Sequence, residues 1–501
     1  MKGYLTAFTA MILAVLMPLW LLLIQGSQIS GMKAKAEMVM DIGMNSVLAE
    51  YHREMLRDYD LFLLDTSYCS DLPTRAKTAE HLQSYLKKNL EPVDDLFSFL
   101  GLGFLGTKEA ETMSASEVSV DMMRYATDGH ASVLRSQILS YELDLLGLSG
   151  LEDTIGQQVA DEWNNSGAEG LLENHHREDW NQAQQELQPY RYVNVPEEEG
   201  GGRKVALENP ADYLFSLSGA ALSGIILGNP ENLSAAEQPI RELYSGRLSE
   251  KDPDVIYGDM PVPESNVKLA AKLFFLDYLL HHFHSYQMKE GSVPEHETRF
   301  ACELEYILCG NASDKANLEE TVGRMLMIRQ AVNTAYLFTD ANKQQQLEAA
   351  AKALAVAASA VTMSPVPSAP IKVSLTMAWG LLESIQDMKI LCNGGKIALL
   401  KGNGVWRTDL GNLAHPGEGS GGDAGDEKGL TYEQYLCLLL LMQNDEEQMN
   451  HCIDVMELNI RMNKGNENFR MDACADRLLA RARIGRGDTW FYIGREYGYE
   501  E

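Results

Sequence analysis

MKGYLTAFTAMILAVLMPLWLLLIQG, residues 1–26, opens a run from Gly3 to Met32 without a charged side chain. Within it Tyr4–Ile24 is apolar apart from Thr6 and Thr9. As a helix rising ~1.5 Å per residue, that stretch reaches ~31 Å, the thickness of a bilayer's hydrocarbon core. A secretory apolar region is shorter, typically ~7–15 residues. The nearest A-x-A site, Ala34-Lys35-Ala36, ends twelve residues beyond Ile24, too far to be a well-placed cleavage point. The fates open to such a segment are a cleaved signal, a retained anchor or the packing helix of a pilus-like assembly. Length and the missing cleavage site favour retention. Pro18 is compatible with a membrane helix, where neighbouring groups satisfy the freed carbonyl.

Beyond the span, Ile29, Met32, Ala36, Val39, Gly43, Val47, Leu48, Tyr51 and Met55 recur at spacings of three and four. No proline interrupts Gln25 to Leu72. The pattern predicts one helix from the membrane through about Tyr59, a stalk with an apolar stripe. An anchor followed by a separate surface helix is the alternative. Lys2 precedes the span while Lys33 and Lys35 follow it, so the positive-inside count sets no direction. Two residues before Gly3 leave no room for a cytoplasmic output module, which argues against signalling.

The 501 residues are 45% apolar, rich in helix formers and poor in β-branched residues, which predicts a mainly α fold with a few short β strands. With 72 Asp+Glu against 42 Lys+Arg the net charge is −30, which repels phosphate backbones and excludes nucleic acid as a partner. Cys69, Cys302, Cys309, Cys392, Cys437, Cys452 and Cys474 form no CxxC pair and read as ordinary buried thiols.

Five parts follow from punctuation and periodicity: anchor and stalk over 1–60, an α+β part with a loop-rich end over 61–210, a helical core over 211–410, a linker over 411–429, and a helical segment and tail over 430–501. Thr74–Leu90 reads as a helix, Glu117–Met122 as a short strand, RYATDGH as a turn and Ala131–Leu146 as a helix. Residues 151–210 read as polar and loop-rich, with PEEEGGGRK at 196–204 a flexible connection. Tyr213–Gly228 reads as a packed core helix rather than a second span. Helical spacing continues through Val267–Met288, Glu303–Cys309, Leu318–Phe338, residues 344–363 and Ile371–Cys392. KIALLKGNGVWRTDL at 396–410 suggests a β-hairpin turned at Gly402-Asn403-Gly404. Thr431 and Gln434 form a capping box before YLCLLLLM, whose eight apolar residues are too few to span a membrane.

Taken in order, the uncharged N-terminal helix leading into AEYHREMLRDYDLFLLD, then RYATDG, ELEYILCGNASDKANLEETVGRMLMIRQAVNTAYL and YEQYLCLLLLMQ…IDVMELNIR resemble an uncharacterised Gram-positive family of single-span membrane proteins. That family is itself similar to the TadE/TadG-like minor pseudopilins of tight-adherence pili. The resemblance covers nearly the whole chain and rests on helix-packing patterns. It implies a body outside the cell membrane, with pilus or pseudopilin-like proteins as partners through the N-terminal helix. Gly3, Ala7, Ala10 and Ala14 offer small residues at close-approach spacing for such packing. The chain departs from the pilin pattern at one place: prepilin processing favours a glutamate five residues after the cleavage glycine, and Phe8 stands there.

Chemical motifs are sparse. GLGFLG at 101–106 and GEGSGG at 417–422 fit GxGxxG, but neither has the strand before and helix after that a dinucleotide site needs. Asp277, His281 and His284 share a helical stripe, with His282 nearby, and are residue types that zinc accepts. They also flank an apolar stripe, where polar residues are expected in any case. His296-Glu297 begins like HExxH but fails at Phe300, and His175-His176 read as loop. Glu303 and Glu305 fall on different helix faces, with Arg324, Arg329 and Asn333 as structural partners rather than a catalytic set. The reading expects no enzyme, and no catalytic, cofactor-binding or metal residue. It expects a membrane-anchored surface protein, a pseudopilin-like component or accessory of a tight-adherence pilus or export apparatus, with an extracytoplasmic metal-dependent enzyme or a ligand-binding ectodomain acting through a partner as alternatives.

Overall fold

A computed structural model describes residues 2–70, 73–91, 113–147, 150, 154–173, 177–196, 202–206, 214, 216–228, 233–263, 268–288, 294, 296, 298–402, 405–414, 425–426 and 428–499. The fold is mainly α with a few short strands, and it opens on one long apolar helix. Two compact units form. The first gathers Met1–Ile138, Arg241–Asn266 and Met456–Glu501; the second gathers Leu139–Ile240 and Val267–Val455. The linear five-part division expected above therefore does not describe the spatial units, because each is assembled from separated stretches.

In the first unit the helix Lys2–Leu48 takes Pro18 into its interior and divides into two halves of opposite character. Phe8 to Ile24 is exposed, whereas Ala36, Val39, Met40, Met44, Val47 and Leu48 are buried. These six pack with Leu82, Leu86 and Leu90 of the helix Arg75–Leu90 and with one face of a sheet. The expected stripe exists, but it is the inner face of a packed unit and not a free stalk. The helix also ends at Leu48, short of Tyr59. Tertiary contacts cause the break: the Glu50 carboxylate accepts from the Tyr85 hydroxyl at 2.6 Å and meets His81 at 2.9 Å. The His52 N–H donates to Leu63 O, and the His52 ring accepts from Met55 N–H, capping a new helix at Arg53–Tyr59.

The sheet is antiparallel and centred on the strand Cys474–Arg486. It pairs with Ser114–Tyr125, with Leu64–Asp65 and, through a turn at Gly487-Asp488, with Thr489–Gly498. The strand expected at 117–122 is present and longer. The helical segment and tail expected over 430–501 needs correction, since from Cys474 onward it is this hairpin. Leu478, Ala480, Ala482 and Ile484 are buried, and Leu479, Arg481 and Arg483 between them are less so, the period of a half-buried strand.

The second unit is helical around Asp314–Thr339 and Ser368–Cys392, which approach closely where Gly380 meets Thr334. Leu269–His282, Glu303–Cys309 and Tyr432–Met442 complete its buried core. Tyr432–Met442 begins with the expected Thr431/Gln434 capping box. Residues 151–210, expected to be loop-rich, contain Ile155–Ser166, Ala168–Glu173 and Arg177–Leu187, then a strand pair, Tyr192–Pro196 with Gly202–Ala206. The first of these helices is capped by Thr154 and buries Val159, Ala160 and Trp163, a stripe masked by its polar outer face. No hairpin forms over 396–410 among the described residues. The segment makes one isolated bridge, Ile397 to Leu430, while Leu399 O accepts from Arg329 and Thr408 N–H donates to Glu383. All seven cysteines are free, five of them buried.

Candidate functional site

Two places carry features beyond core packing. The first is the exposed half of the N-terminal helix. Phe8, Met11 and Trp20 are 62%, 73% and 66% exposed, and the most apolar stretch of this helix buries nothing against the rest of the chain. It is long and apolar enough to cross a membrane. Ala10 and Ala14 lie exposed on it; the side chains of Gly3 and Ala7 fall outside the described residues.

The second is a histidine–carboxylate cluster in the second unit, where the chain returns from the helix Leu269–His282 to Glu303–Cys309. The backbone N–H of His284 donates to Glu303 Oε2 at 2.7 Å, and Leu304 N–H donates to His284 O. These bonds lay residues 284–286 along the first turn of the helix, whose N-terminal N–H groups favour carboxylates. His284 Nδ1 lies 2.9 Å and His296 Nε2 3.5 Å from the same Glu303 oxygen. The two rings meet edge-on, with centroids 5.1 Å apart. The Thr298 hydroxyl donates to the other oxygen at 2.6 Å. Glu303 is fully buried, as is nearly all of the His296 side chain. Burial alone would raise the Glu303 carboxyl, yet the hydrogen bonds and charge of His284 and His296 hold it down at about 2. Two residues on, Glu305 accepts from Tyr286 N–H and the Tyr432 hydroxyl, but burial prevails and lifts it to about 7.

The triplet weighed from sequence is not brought together. Asp277 is buried, and its partner is His281 one turn on, at 3.5 Å, with the His281 side chain 63% exposed. His284 leaves the stripe because the helix ends at His282 and the chain turns extended at Phe283. His282 stacks on Tyr278. His296, set aside with the failed HExxH pattern, is the residue that joins His284. Spacing could not reveal this, because the contact depends on the fold-back between two helices. GLGFLG, GEGSGG and His175-His176 lie outside the described residues.

Arg329 and Asn333 do bind a buried carboxylate, but it is Asp387 and not Glu303 or Glu305. Arg329 and Asn333 each reach Asp387 Oδ2 at 2.9 Å. Lys401 bridges Asp387 and Glu383, Arg407 meets Asp426, and Arg407 and Thr408 donate backbone N–H groups to Glu383. Arg324 pairs with Glu320 on its own helix. Three cations thus face three carboxylates, a balanced interior network of the kind buried charge requires. In the first unit Arg247 similarly holds Glu457 at 2.8 Å and Asp472 at 2.9 Å.

The sequence profile of a family described as "Family of unknown function (DUF5702)" matches residues 201–485. This is more than half of the chain, and the protein belongs to that family. No curated protein and no solved structure matches it.

Proposed function

We propose that this DUF5702 member is a non-enzymatic, single-pass membrane-anchored surface protein, a pseudopilin-like component or accessory of a tight-adherence pilus or export apparatus. One observation carries the reading: the division of the N-terminal helix into an apolar half that no described part of the chain buries and a half locked into the first unit. Each large apolar side chain left in water forgoes ~1.5–3 kcal/mol, so Phe8–Ile24 calls for a bilayer or partner helices. Lipid satisfies its length, and the small residues Gly3, Ala7, Ala10 and Ala14 suit close approach of a second helix. The locked half fixes the anchor rigidly to a folded body, which lies outside the membrane. The acidic surface fits that location.

A cysteine-free variant carrying a single cysteine at Gln28 or Asp60, both exposed, tests this. An impermeant thiol reagent should label each on intact cells, and N-terminal sequencing should still find the apolar stretch. Mature protein starting at Glu37, or labelling only after lysis, would defeat the anchoring. Cysteines at Ala10 and Ala14 should cross-link to membrane helices of the apparatus. Cross-links that persist unchanged in cells lacking the apparatus would remove the pilus assignment and leave the anchor.

A further inference from the structure

We propose that His284, His296 and Glu303 bind a divalent first-row transition ion, zinc above all, as a structural clamp that ties His284 and His296 to the helix Glu303–Cys309. The proposal is independent of how the chain is anchored. Two imidazoles and a carboxylate are a ligand set zinc accepts, and their donor atoms all lie within 4.8 Å of one another. Around a tetrahedral ion with bonds of ~2.1 Å, donors stand ~3.4 Å apart. The two separations from Glu303 Oε2, 2.9 Å and 3.5 Å, bracket that value, and the two imidazole nitrogens, within 4.8 Å of each other, need only close on a shared ion.

The surroundings fit an ion in two further ways. The carboxylate is oriented by groups outside the ligand set: the Thr298 hydroxyl on one oxygen and the His284 N–H on the other, the usual support for a metal ligand. Two further carboxyls stand beside the cluster: Asp314, 4% exposed, accepts the N–H of Cys302 next to Glu303, and Glu305 is fully buried two residues on. A dication at this cluster offsets the charge of the buried Glu303 carboxylate. The depth of Glu303 and His296 favours a closed, structural site over one with open access for substrate.

The test uses the full chain, purified in detergent and dialysed against metal-free buffer. Elemental analysis should find about one equivalent of metal, zinc predominating. Protein stripped with chelator should take up Co²⁺ with visible absorption bands of a low-symmetry site. His296→Ala should lose at least nine-tenths of the metal and of the bands, while His281→Ala should keep both. Zinc added back to stripped wild type should raise its unfolding temperature, and should leave that of His296→Ala unchanged. Should His296→Ala fail to fold, the stripped wild type alone decides. Absence of Co²⁺ bands, metal retained unchanged in folded His296→Ala, or an unfolding temperature indifferent to zinc would each overturn the clamp.

Discussion

Glu142 is 1% exposed, and neither of its carboxylate oxygens has a hydrogen-bond partner among the described residues. Burial, with repulsion from Asp277, lifts it from 4.5 to about 7. The folded chain therefore holds this proton more tightly than the unfolded one. The resulting stability is fully present below pH ~4.5 and is lost as pH rises through ~7. Glu142→Gln should flatten that part of the profile and gain up to ~3 kcal/mol at pH 8, read from urea unfolding at several pH values. A variant that tracks wild type across pH 5–8 would contradict the assignment. Asp387→Asn has the opposite consequence, because it leaves Arg329 in a dry interior without its carboxylate and Lys401 with Glu383 alone. It should cost ~3–5 kcal/mol by the same measurement. Residue types were legible here and partners were not. Arg329 and Asn333 at i and i+4 announce a polar spot on one face, but only packing against Ser368–Cys392 supplies Asp387 as what fills it.

Among the elements, the N-terminal helix was the most legible and the C-terminal hairpin the least. Uncharged length is a one-dimensional signal, whereas the strand Cys474–Arg486 hides its period behind arginines on one face and alanines on the other. The end of the long helix was also beyond spacing, since Glu50 and His52 break it through partners at His81, Tyr85 and Leu63. Glycines along the helix separate its two halves by experiment. A Cβ at Gly43 would lie 2.9 Å from Leu86 and 3.0 Å from Leu82, whereas at Gly31 nothing stands within 4 Å. Gly43→Leu should destabilise the first unit by ~1–3 kcal/mol in thermal unfolding, and Gly31→Leu should leave it within ~1 kcal/mol of wild type. Equal effects at both positions would mean that the locked half is not packed as described.

For the whole molecule, the separation of anchor from body predicts that removing residues 1–31 abolishes the need for detergent while shifting the unfolding temperature by less than ~2 °C. Size-exclusion chromatography without detergent and a thermal melt would check both. The mainly α class was readable from composition, but the two spatial units were not, because each draws on stretches far apart in the chain. The centre of the first unit's sheet comes late: Arg124 and Asp476, which pair across it, are 352 residues apart. At ~5–20 residues per second a ribosome needs roughly 20–70 s to deliver the second after the first. Throughout that interval the inner face of the N-terminal helix has no sheet to cover it, although its apolar end is already available to the membrane machinery. With the anchoring proposed above, the nascent chain is tethered first and closed last. A chain truncated anywhere before Cys474 then lacks the first unit's central strand, and quality-control proteases should clear it as an open chain.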